Sequence, residues 1–236
     1  MISFIVPAHN EERWIGKCLD SIRTSMATLA EPYEVIVVDD ASTDASPAIA
    51  EQKNAHTLRV NHRKISAVRN TGARAATGDE LIFVDADTQV NQQAVAAALS
   101  VLRSGAAGGA CVFEFDGAIP LWGRLIHRFG VTMGRLLRLG GGCFLFCTRR
   151  AYTAAGGFPE ELRAGEDYGF MVALKKVGRF VVPGPTVVTS GRKLSVVGPW
   201  EVIMLLVTIT LRGPRYESAK TLDFMYGQRA EECRKR

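Results

Sequence analysis

The chain has 236 residues, 47% hydrophobic and 22% charged, with a formal net charge of +5. This composition is typical of a globular protein and excludes intrinsically disordered and collagen-like chains. The length allows one large domain or two small ones with a buried core. The segment 121–139 contains four arginines and no acidic residue, which favours anionic partners: phosphate groups, nucleic acid or acidic lipid.

Five cysteines without a close Cys-x-x-Cys pair argue against a disulfide framework or a zinc site. Cys143 and Cys147 bracket an apolar run that is predicted to be a buried strand. The N-terminus lacks the basic segment of a signal peptide. The apolar stretch at 202–211 is too short for a spanning helix, although it could rest on a bilayer. We therefore expect a cytoplasmic location, with peripheral contact to the inner face of the membrane.

Strand and helix patterns alternate from the N-terminus. The continuously apolar run Ile2–Val6 predicts a buried strand that stops at Pro7. Apolar residues on one helical face then predict a helix over 14–29. The next strand, Glu34–Val38, ends directly in Asp39 and Asp40.

The same alternation continues to the middle of the chain. Ser46 is predicted to cap a helix with Pro47 at its first position. A further helix over 64–77 should be closed by Gly78. The patterns that follow are a strand at 80–84, a helix at 92–103 and a strand near 110–115. This order predicts a mostly parallel sheet with helices on both faces.

The second half of the chain is less regular. We predict a basic helix within 121–139, a strand at 143–147, a turn at Gly156-Gly157, a helix at 167–177 and a strand near 180–182. The basic helix has one apolar side, comprising Leu121, Trp122, Leu125, Phe129, Met133, Leu136 and Leu137. The opposite side carries Arg124, Arg128, Arg135 and Arg138. Such a helix fits a membrane surface or the protein core equally well, and Gly130 and Gly134 argue against one uninterrupted helix.

Polar residues follow three of the predicted strands directly, at 7–12, 39–40 and 85–87. In an open α/β sheet, ligands bind outside the carboxyl ends of the strands. Converging carboxylates repel each other, so a divalent cation that bridges a diphosphate would compensate them. Neither a Gly-x-Gly-x-x-Gly nor a P-loop sequence follows these strands. Each acidic pair could by itself be turn or capping chemistry, and only their joint occurrence at successive strand ends favours a ligand site.

The motifs together resemble those of family 2 glycosyltransferases. They occur in that family's order between residues 2 and 193, and comprise 6–12 (VPAHNEE), 37–44 (VVDDASTD), 69–72 (RNTG), 85–87 (DAD), 156–158 (GGF) and 166–167 (ED). The resemblance implies a GT-A fold, which is an α/β, Rossmann-like architecture with a mixed, mostly parallel sheet flanked by helices. It also implies inverting transfer of a sugar from a nucleotide-diphosphate sugar to an acceptor hydroxyl.

The resemblance implies a role for each matching residue on the donor side. Pro7, Ala8 and Glu11 would line the nucleotide pocket, and Asp40 would read the edge of the base. Arg69 would approach the diphosphate.

Further roles concern the metal and the reaction. Asp87 would bind Mg²⁺ or Mn²⁺ directly, and Asp85 would contact the ribose or the metal with its water. Asp167 would be the general base, with Glu166 as a residue that could instead orient the acceptor. Arg192 is a candidate clamp for the diphosphate.

We expect one compact domain with a nucleotide-sugar-binding half at 1–115 and an acceptor-side half at 116–236. The latter would contain the amphipathic and C-terminal helices. The chain lacks a Gln-x-x-Arg-Trp sequence and spanning helices, which favours a single transfer over polymerisation. The acceptor would be a sugar or a lipid-linked molecule. Nucleic acid is not an expected partner, because the basic residues lack interleaved aromatics.

Three alternatives remain at this point. The acceptor could be a polyprenyl phosphate, which the basic helix and the short apolar segment favour. The chain could bind a sugar nucleotide without turnover, although both Asp87 and Asp167 are present. A nucleotidyltransferase would need a glycine-rich, basic first loop, and none follows Val6.

Overall fold

The computed structural model describes residues 1–117, 120–162 and 165–192. Its strands are β1 (Ile2–Ala8), β2 (Tyr33–Asp40), β3 (His56–Val60), β4 (Glu80–Val84), β5 (Thr88–Gln89), β6 (Gly108–Ala110), β7 (Val112–Asp116), β8 (Phe144–Thr148), β9 (Phe180–Val181) and β10 (Thr186–Ser190). Its helices are α1 (Ile15–Leu29), α2 (Ser46–Gln52), α3 (Ile65–Ala75), α4 (Gln92–Arg103), α5 (Leu121–Leu137), α6 (Arg149–Ala155) and α7 (Glu166–Val177). The predicted apolar segment at 202–211 lies outside the described residues.

Seven strands form the main sheet in the order β3-β2-β1-β4-β8-β6-β9. Neighbours pair in parallel except at β8, which is antiparallel to both β4 and β6. A smaller sheet has the order β5-β10-β7. The predicted mixed, mostly parallel sheet is therefore confirmed.

Helices cover both faces of the main sheet, as the alternating pattern predicts. Side chains of β1 alternate between the faces: Phe4 and Val6 join one apolar cluster, while Ile5 joins the other. The first cluster receives residues of α1 and α4, and the second receives residues of α3, α6 and α7. Cys143 and Cys147 are buried, as predicted. Within the described residues, no helix is both long and apolar enough to cross a membrane.

Two predicted boundaries at the start of the chain are wrong. The first strand continues through Pro7 to Ala8, because Ala8 still pairs in register with Asp39 of β2. Ser46 does not cap α2; it is the first helical residue, and its N–H donates to Asp44 Oδ1 at 2.9 Å. Its hydroxyl instead accepts from the backbone N–H of Glu11.

Two further predictions about where a helix or strand ends are wrong. Gly78 does not close α3, which ends at Ala75; instead, an added Cβ at Gly78 would lie 2.5 Å from the carbonyl oxygen of Met1. The strand predicted near 110–115 is two strands, β6 and β7, in different sheets. Cys111 lies between them: its N–H donates to the carbonyl oxygen of Phe144, the first residue of β8, and the chain then continues as β7, which pairs with β10.

Gly72→Ala should lower the free energy of unfolding by about 1–2 kcal/mol, as measured by urea denaturation. An ideal Cβ at Gly72 would lie 2.3 Å from Ile5 Cγ2 and 3.0 Å from Val38 Cγ2, because α3 lies close against β1 and β2. Gly16→Ala is the matched control. Its Cβ would meet Ile49 Cγ2 at an ordinary 3.6 Å, so the helix-propensity gain of about 0.5–1 kcal/mol should stabilise the protein. Equal effects of the same sign would contradict this packing.

Candidate functional site

The carboxyl ends of β2, β1 and β4 lie side by side at one edge of the main sheet. Asp39 and Asp40 are the last residues of β2, and a tight turn from Asp85 to Thr88 follows β4. Pro7 and Ala8 end β1 between them and are both buried. The three predicted polar segments are thus brought together at this edge.

The loops after β1 and β2 are joined by hydrogen bonds from backbone N–H groups. The N–H of Asn10 donates to Ser42 Oγ at 2.9 Å, and that of Glu11 donates to Ser46 Oγ at 2.7 Å. In return, the N–H of Thr43 donates to Asn10 Oδ1 at 2.8 Å. These bonds fix the position of Glu11 beside the end of the sheet.

Asp40 is almost completely buried. Its Oδ1 accepts from the backbone N–H groups of His62 and Arg63 at 2.7 and 2.9 Å. A ring nitrogen of His9 lies 2.6 Å from its carbonyl oxygen. The adjacent Asp39 is buried too, and its Oδ1 has no hydrogen-bond partner in the described part of the chain. Two backbone N–H groups therefore fix the orientation of the Asp40 carboxylate at this edge of the sheet.

Arg69 lies at the centre of the site, with its side chain 3% exposed. Nη1 donates to Glu166 Oε1 and Nη2 donates to Asp85 Oδ1, both at 2.8 Å. Its guanidinium also lies over the ring of Phe158. Burial alone would lower the pKa of Arg69, but the two carboxylates reverse this and the net shift is upward. Arg69 thus joins the turn after β4 to the start of α7.

The two adjacent carboxylates at the start of α7 have different environments. Glu166 is 5% exposed and bound to Arg69, whereas Asp167 is partly exposed. Burial raises the pKa of Glu166 and the charge of Asp167 adds to this rise, while Arg69 opposes it. Gly142 lies directly against Asp167, since an added Cβ would stand 2.0 Å from Oδ2.

Arg192 lies across the other side of the site. Its guanidinium donates to both carboxylate oxygens of Glu11 at 2.8 and 2.5 Å, and lies 3.2 Å from Asp87 Oδ2. Burial would lower the pKa of Arg192, but the hydrogen bond and charge of Glu11 and the charge of Asp87 raise it overall. Asp87 is also held by β10, because the N–H of Ser190 donates to its carbonyl oxygen.

Asn70 is a positioning residue that the sequence analysis did not single out. Its Nδ2 donates to the Phe158 carbonyl, and its Oδ1 accepts from the Phe158 N–H and the Tyr152 hydroxyl. It thereby connects α3 to the turn at Gly156-Gly157. In the sequence, only its place in the motif 69–72 could have pointed to this role.

Two carboxylates of one turn, Asp85 and Asp87, are partly accessible at 31% and 15% of the side chain. In the described ranges, no group of three or more His, Cys, Asp or Glu residues could hold a metal ion. Mg²⁺ and Mn²⁺ need no such group when they bind through one or two carboxylates plus substrate phosphates. The residues present therefore fit a cation that is shared with a phosphate ligand.

Comparison with known proteins agrees with the fold and the motifs. Residues 3–153 match the model of the family described as Glycosyl transferase family 2. The mixed, mostly parallel sheet with helices on both faces is the architecture of GT-A glycosyltransferases. The chain belongs to glycosyl transferase family 2.

Curated relatives match over parts of their length. The putative glycosyltransferase EpsH of Bacillus subtilis is 38% identical over 91 residues, which are 36% of this chain and 26% of that protein. Glycosyltransferase GlyA of Streptococcus pneumoniae is 37% identical over 99 residues, 40% of this chain and 14% of that protein. The matches thus span about a quarter or less of these relatives.

Solved structures match almost the whole chain. The mannosyltransferase PcManGT from Pyrobaculum calidifontis, in complex with GDP-Man and Mn²⁺, is 20% identical and covers 97% of this chain and 68% of its own, with a TM-score of 0.69. Staphylococcus aureus TarS 1–349 in complex with UDP-GlcNAc is 21% identical and covers 95% of this chain and 71% of its own, with a TM-score of 0.60. These similarities confirm the predicted GT-A fold.

Proposed function

We propose that the chain is an inverting, metal-dependent glycosyltransferase that moves one sugar from a nucleotide-diphosphate sugar to an acceptor hydroxyl. The observation that carries this proposal is the continuous set of ion pairs at the carboxyl edge of the sheet. Arg69 connects Asp85 to Glu166, and Arg192 connects Glu11 to Asp87. Groups from both halves of the chain, 1–115 for the donor and 116–236 for the acceptor, are thereby organised around one place.

The donor nucleotide binds over the ends of β1 and β2. Pro7 and Ala8 form the floor of this pocket, and Glu11 contacts the ribose. Asp40 reads the base edge, since two backbone N–H groups fix the orientation of its carboxylate. Arg192 clamps the diphosphate by exchanging its present carboxylate partners for phosphate oxygens, which suit a bidentate guanidinium.

Asp87, with Asp85 beside it, would hold Mg²⁺ or Mn²⁺. Arg192 lies 3.2 Å from Asp87 Oδ2 and compensates its charge, and the cation would take over this compensation when Arg192 turns to the phosphate oxygens. When bound, the ion supplies charge stabilisation for the departing nucleoside diphosphate. Arg69 would contribute to the metal site by holding the carboxylate of Asp85 in place. A direct contact between Arg69 and the diphosphate remains a prediction.

Asp167 acts as the general base. Its carboxylate takes the proton of the acceptor hydroxyl as the oxygen bonds to the anomeric carbon and the bond to the diphosphate breaks. Attack from the face opposite the leaving group inverts the anomeric centre, so one carboxylate is sufficient. Glu166 is buried in its contact with Arg69, which supports Asp167 rather than Glu166 as the base.

A lipid-linked acceptor and peripheral membrane contact are favoured by α5. The helix is uninterrupted, so Gly130 and Gly134 do not break it. Only Gly123 on it is buried, while Leu121, Phe129 and Leu136 are 72%, 69% and 73% exposed. An exposed apolar face with arginines beside it suits the surface of an acidic membrane. A polyprenyl phosphate is the second candidate acceptor on the same observation.

Asp87→Ala should abolish metal-dependent donor binding. In a thermal-shift screen of nucleotide sugars with and without Mn²⁺, the native chain should gain about 5–10 °C at a saturating donor. The variant should lose this gain, because Asp87 is the direct ligand of the metal that bridges the diphosphate.

Asp20→Ala is the matched control, since Asp20 pairs with Lys53 away from the site. It should keep the full metal-dependent shift. Full activity of Asp87→Ala would refute the metal role. Donor binding without release of nucleoside diphosphate, in the presence of acceptors, would favour a sugar-nucleotide-binding protein.

A further inference from the structure

A cleft of about 290 Å³ lies between α5 and β7. Its walls are almost entirely apolar and include Phe113 and Phe115 on the strand and Trp122, Ile126 and Val131 on the helix. The polar exception is His127, whose ring lies 5.1 and 5.0 Å from those of the two phenylalanines. Burial lowers the pKa of His127, so the cleft carries no charge of its own at neutral pH.

The rim of this cleft leads to the proposed general base. Leu139, Gly140 and Gly141 line the cleft. The next residue, Gly142, lies directly against the carboxylate of Asp167. The segment that lines the cleft therefore continues directly into the residue that lies against Asp167.

Two cations lie at the far end of the same segment. Lys175 Nζ donates to the carbonyl of Leu137 at 3.1 Å. Arg138 directly follows Leu137 in the chain, so this bond brings Lys175 close to the start of Arg138. Along α7, Lys175 is about 12 Å from Asp167. A phosphate at the cations therefore leaves room for a sugar that reaches the carboxylate.

The cleft is also continuous with the exposed apolar face of α5. At about 100° per residue, Trp122 and Ile126 form the edge of the cleft-lining side of α5. They stand next to the exposed Leu125 and Phe129 on the helix surface. A chain leaving a bilayer beneath α5 would therefore pass from one apolar surface to the other. A dry cavity of about 150 Å³ holds benzene, so this cleft has space for about ten carbons.

We infer that the cleft between α5 and β7 binds the hydrocarbon chain of an acceptor in which a phosphate joins a lipid to a sugar. This inference rests on the proposed function and identifies its acceptor class. The apolar walls would take the chain, Arg138 and Lys175 would take the phosphate, and the sugar hydroxyl would lie at Asp167.

Farnesyl phosphate is a suitable probe of this site, and its binding can be measured by calorimetry in the absence of donor. We expect at least tenfold tighter binding of farnesyl phosphate than of isopentenyl phosphate, because the longer chain buries more apolar surface in the cleft. Gly130→Phe should weaken farnesyl phosphate binding at least tenfold. Gly130 lines the cleft, and an added Cβ there meets no atom within 4 Å, so the new ring fills the cleft without a clash at its base.

Gly184→Phe is the matched control, because its Cβ also meets no atom within 4 Å and it does not line the cleft. It should keep native affinity. If Gly130→Phe folds poorly, Ile126→Asn is the second variant to test. It places an amide in the apolar wall and should also weaken farnesyl phosphate binding at least tenfold. Equal affinity of the native chain and both cleft variants would overturn the inference. So would equal binding of farnesyl and isopentenyl phosphate, or a dimer that Gly130→Phe dissociates.

Donor binding, measured separately with nucleotide sugar and Mn²⁺, distinguishes the two proposals. If the native chain bound donor but did not bind farnesyl phosphate, the cleft assignment alone would be overturned. Lipid binding without any donor binding would overturn the proposed function and leave the cleft as a lipid site.

Discussion

Asp167→Asn should lower the turnover rate about 10²–10⁴-fold while the affinity for the donor changes by less than about twofold. The amide keeps the size of the side chain but cannot take the acceptor proton at neutral pH. Donor affinity should persist, because the proposed nucleotide contacts are made at the carboxyl ends of β1, β2 and β4 and by Arg192, and Asp167 is not among them. Steady-state kinetics together with calorimetric donor binding would separate the two effects.

The adjacent carboxylates make this prediction specific. Glu166→Gln should reduce stability as well as rate, since it removes a partner of the buried Arg69. Glu161→Gln is the control, because Glu161 is an exposed carboxylate shortly before α7. It should leave both rate and stability unchanged. A normal turnover rate in Asp167→Asn would place the base elsewhere, and a product with retained anomeric configuration would contradict the inverting mechanism.

Elements with a clear periodic pattern were predictable from the sequence. The buried strands β1, β2 and β4 are continuous apolar runs, and α1 and α4 have one apolar face. Their acidic ends could be placed at one edge because parallel strands share a direction. The predictions of Asp40, Asp85 and Asp87 at this edge are therefore consistent with their positions in the fold, although their roles stay predictions.

Elements at the borders of the sheets were not predictable in the same way. The strand β3 is an edge strand with exposed and half-buried residues, so its sequence has no apolar run. The pattern after residue 182 has no clear period, yet β10 pairs there with β7 and holds Asp87. Short strands of this kind depend on partners that are distant in sequence.

The partners of buried charged side chains could not be predicted from the sequence either. The sequence places Arg69 in a family motif and implies contact with a diphosphate. The structure binds it to Glu166, which is 97 residues away, and to Asp85. This pairing depends on tertiary packing, in which α7, α3 and β4 share one apolar cluster. A helical pattern does not say which charge its first turn will meet.

Arg69→Met should lower the free energy of unfolding by about 3–5 kcal/mol, which corresponds to a melting temperature lower by on the order of 10 °C. Methionine fills a similar volume, so the loss comes from the charge. Glu166 would be left buried without the cation that now compensates it, and Asp85 would lose its anchor. Donor binding and turnover should fall together, because both carboxylates are organised by this one side chain.

Two comparisons make the Arg69 prediction decisive. Arg59→Met removes an exposed ion pair with Glu51, in which the side chains are 64% and 56% exposed, and should cost less than about 1 kcal/mol. The double variant Arg69→Met/Glu166→Gln should recover part of the lost stability, because the uncompensated buried charge is then absent. If the double variant were as unstable as the sum of the two single variants, the loss would come from packing around Arg69. The ion pair with Glu166 would then not be the contact that joins α7 to the turn after β4.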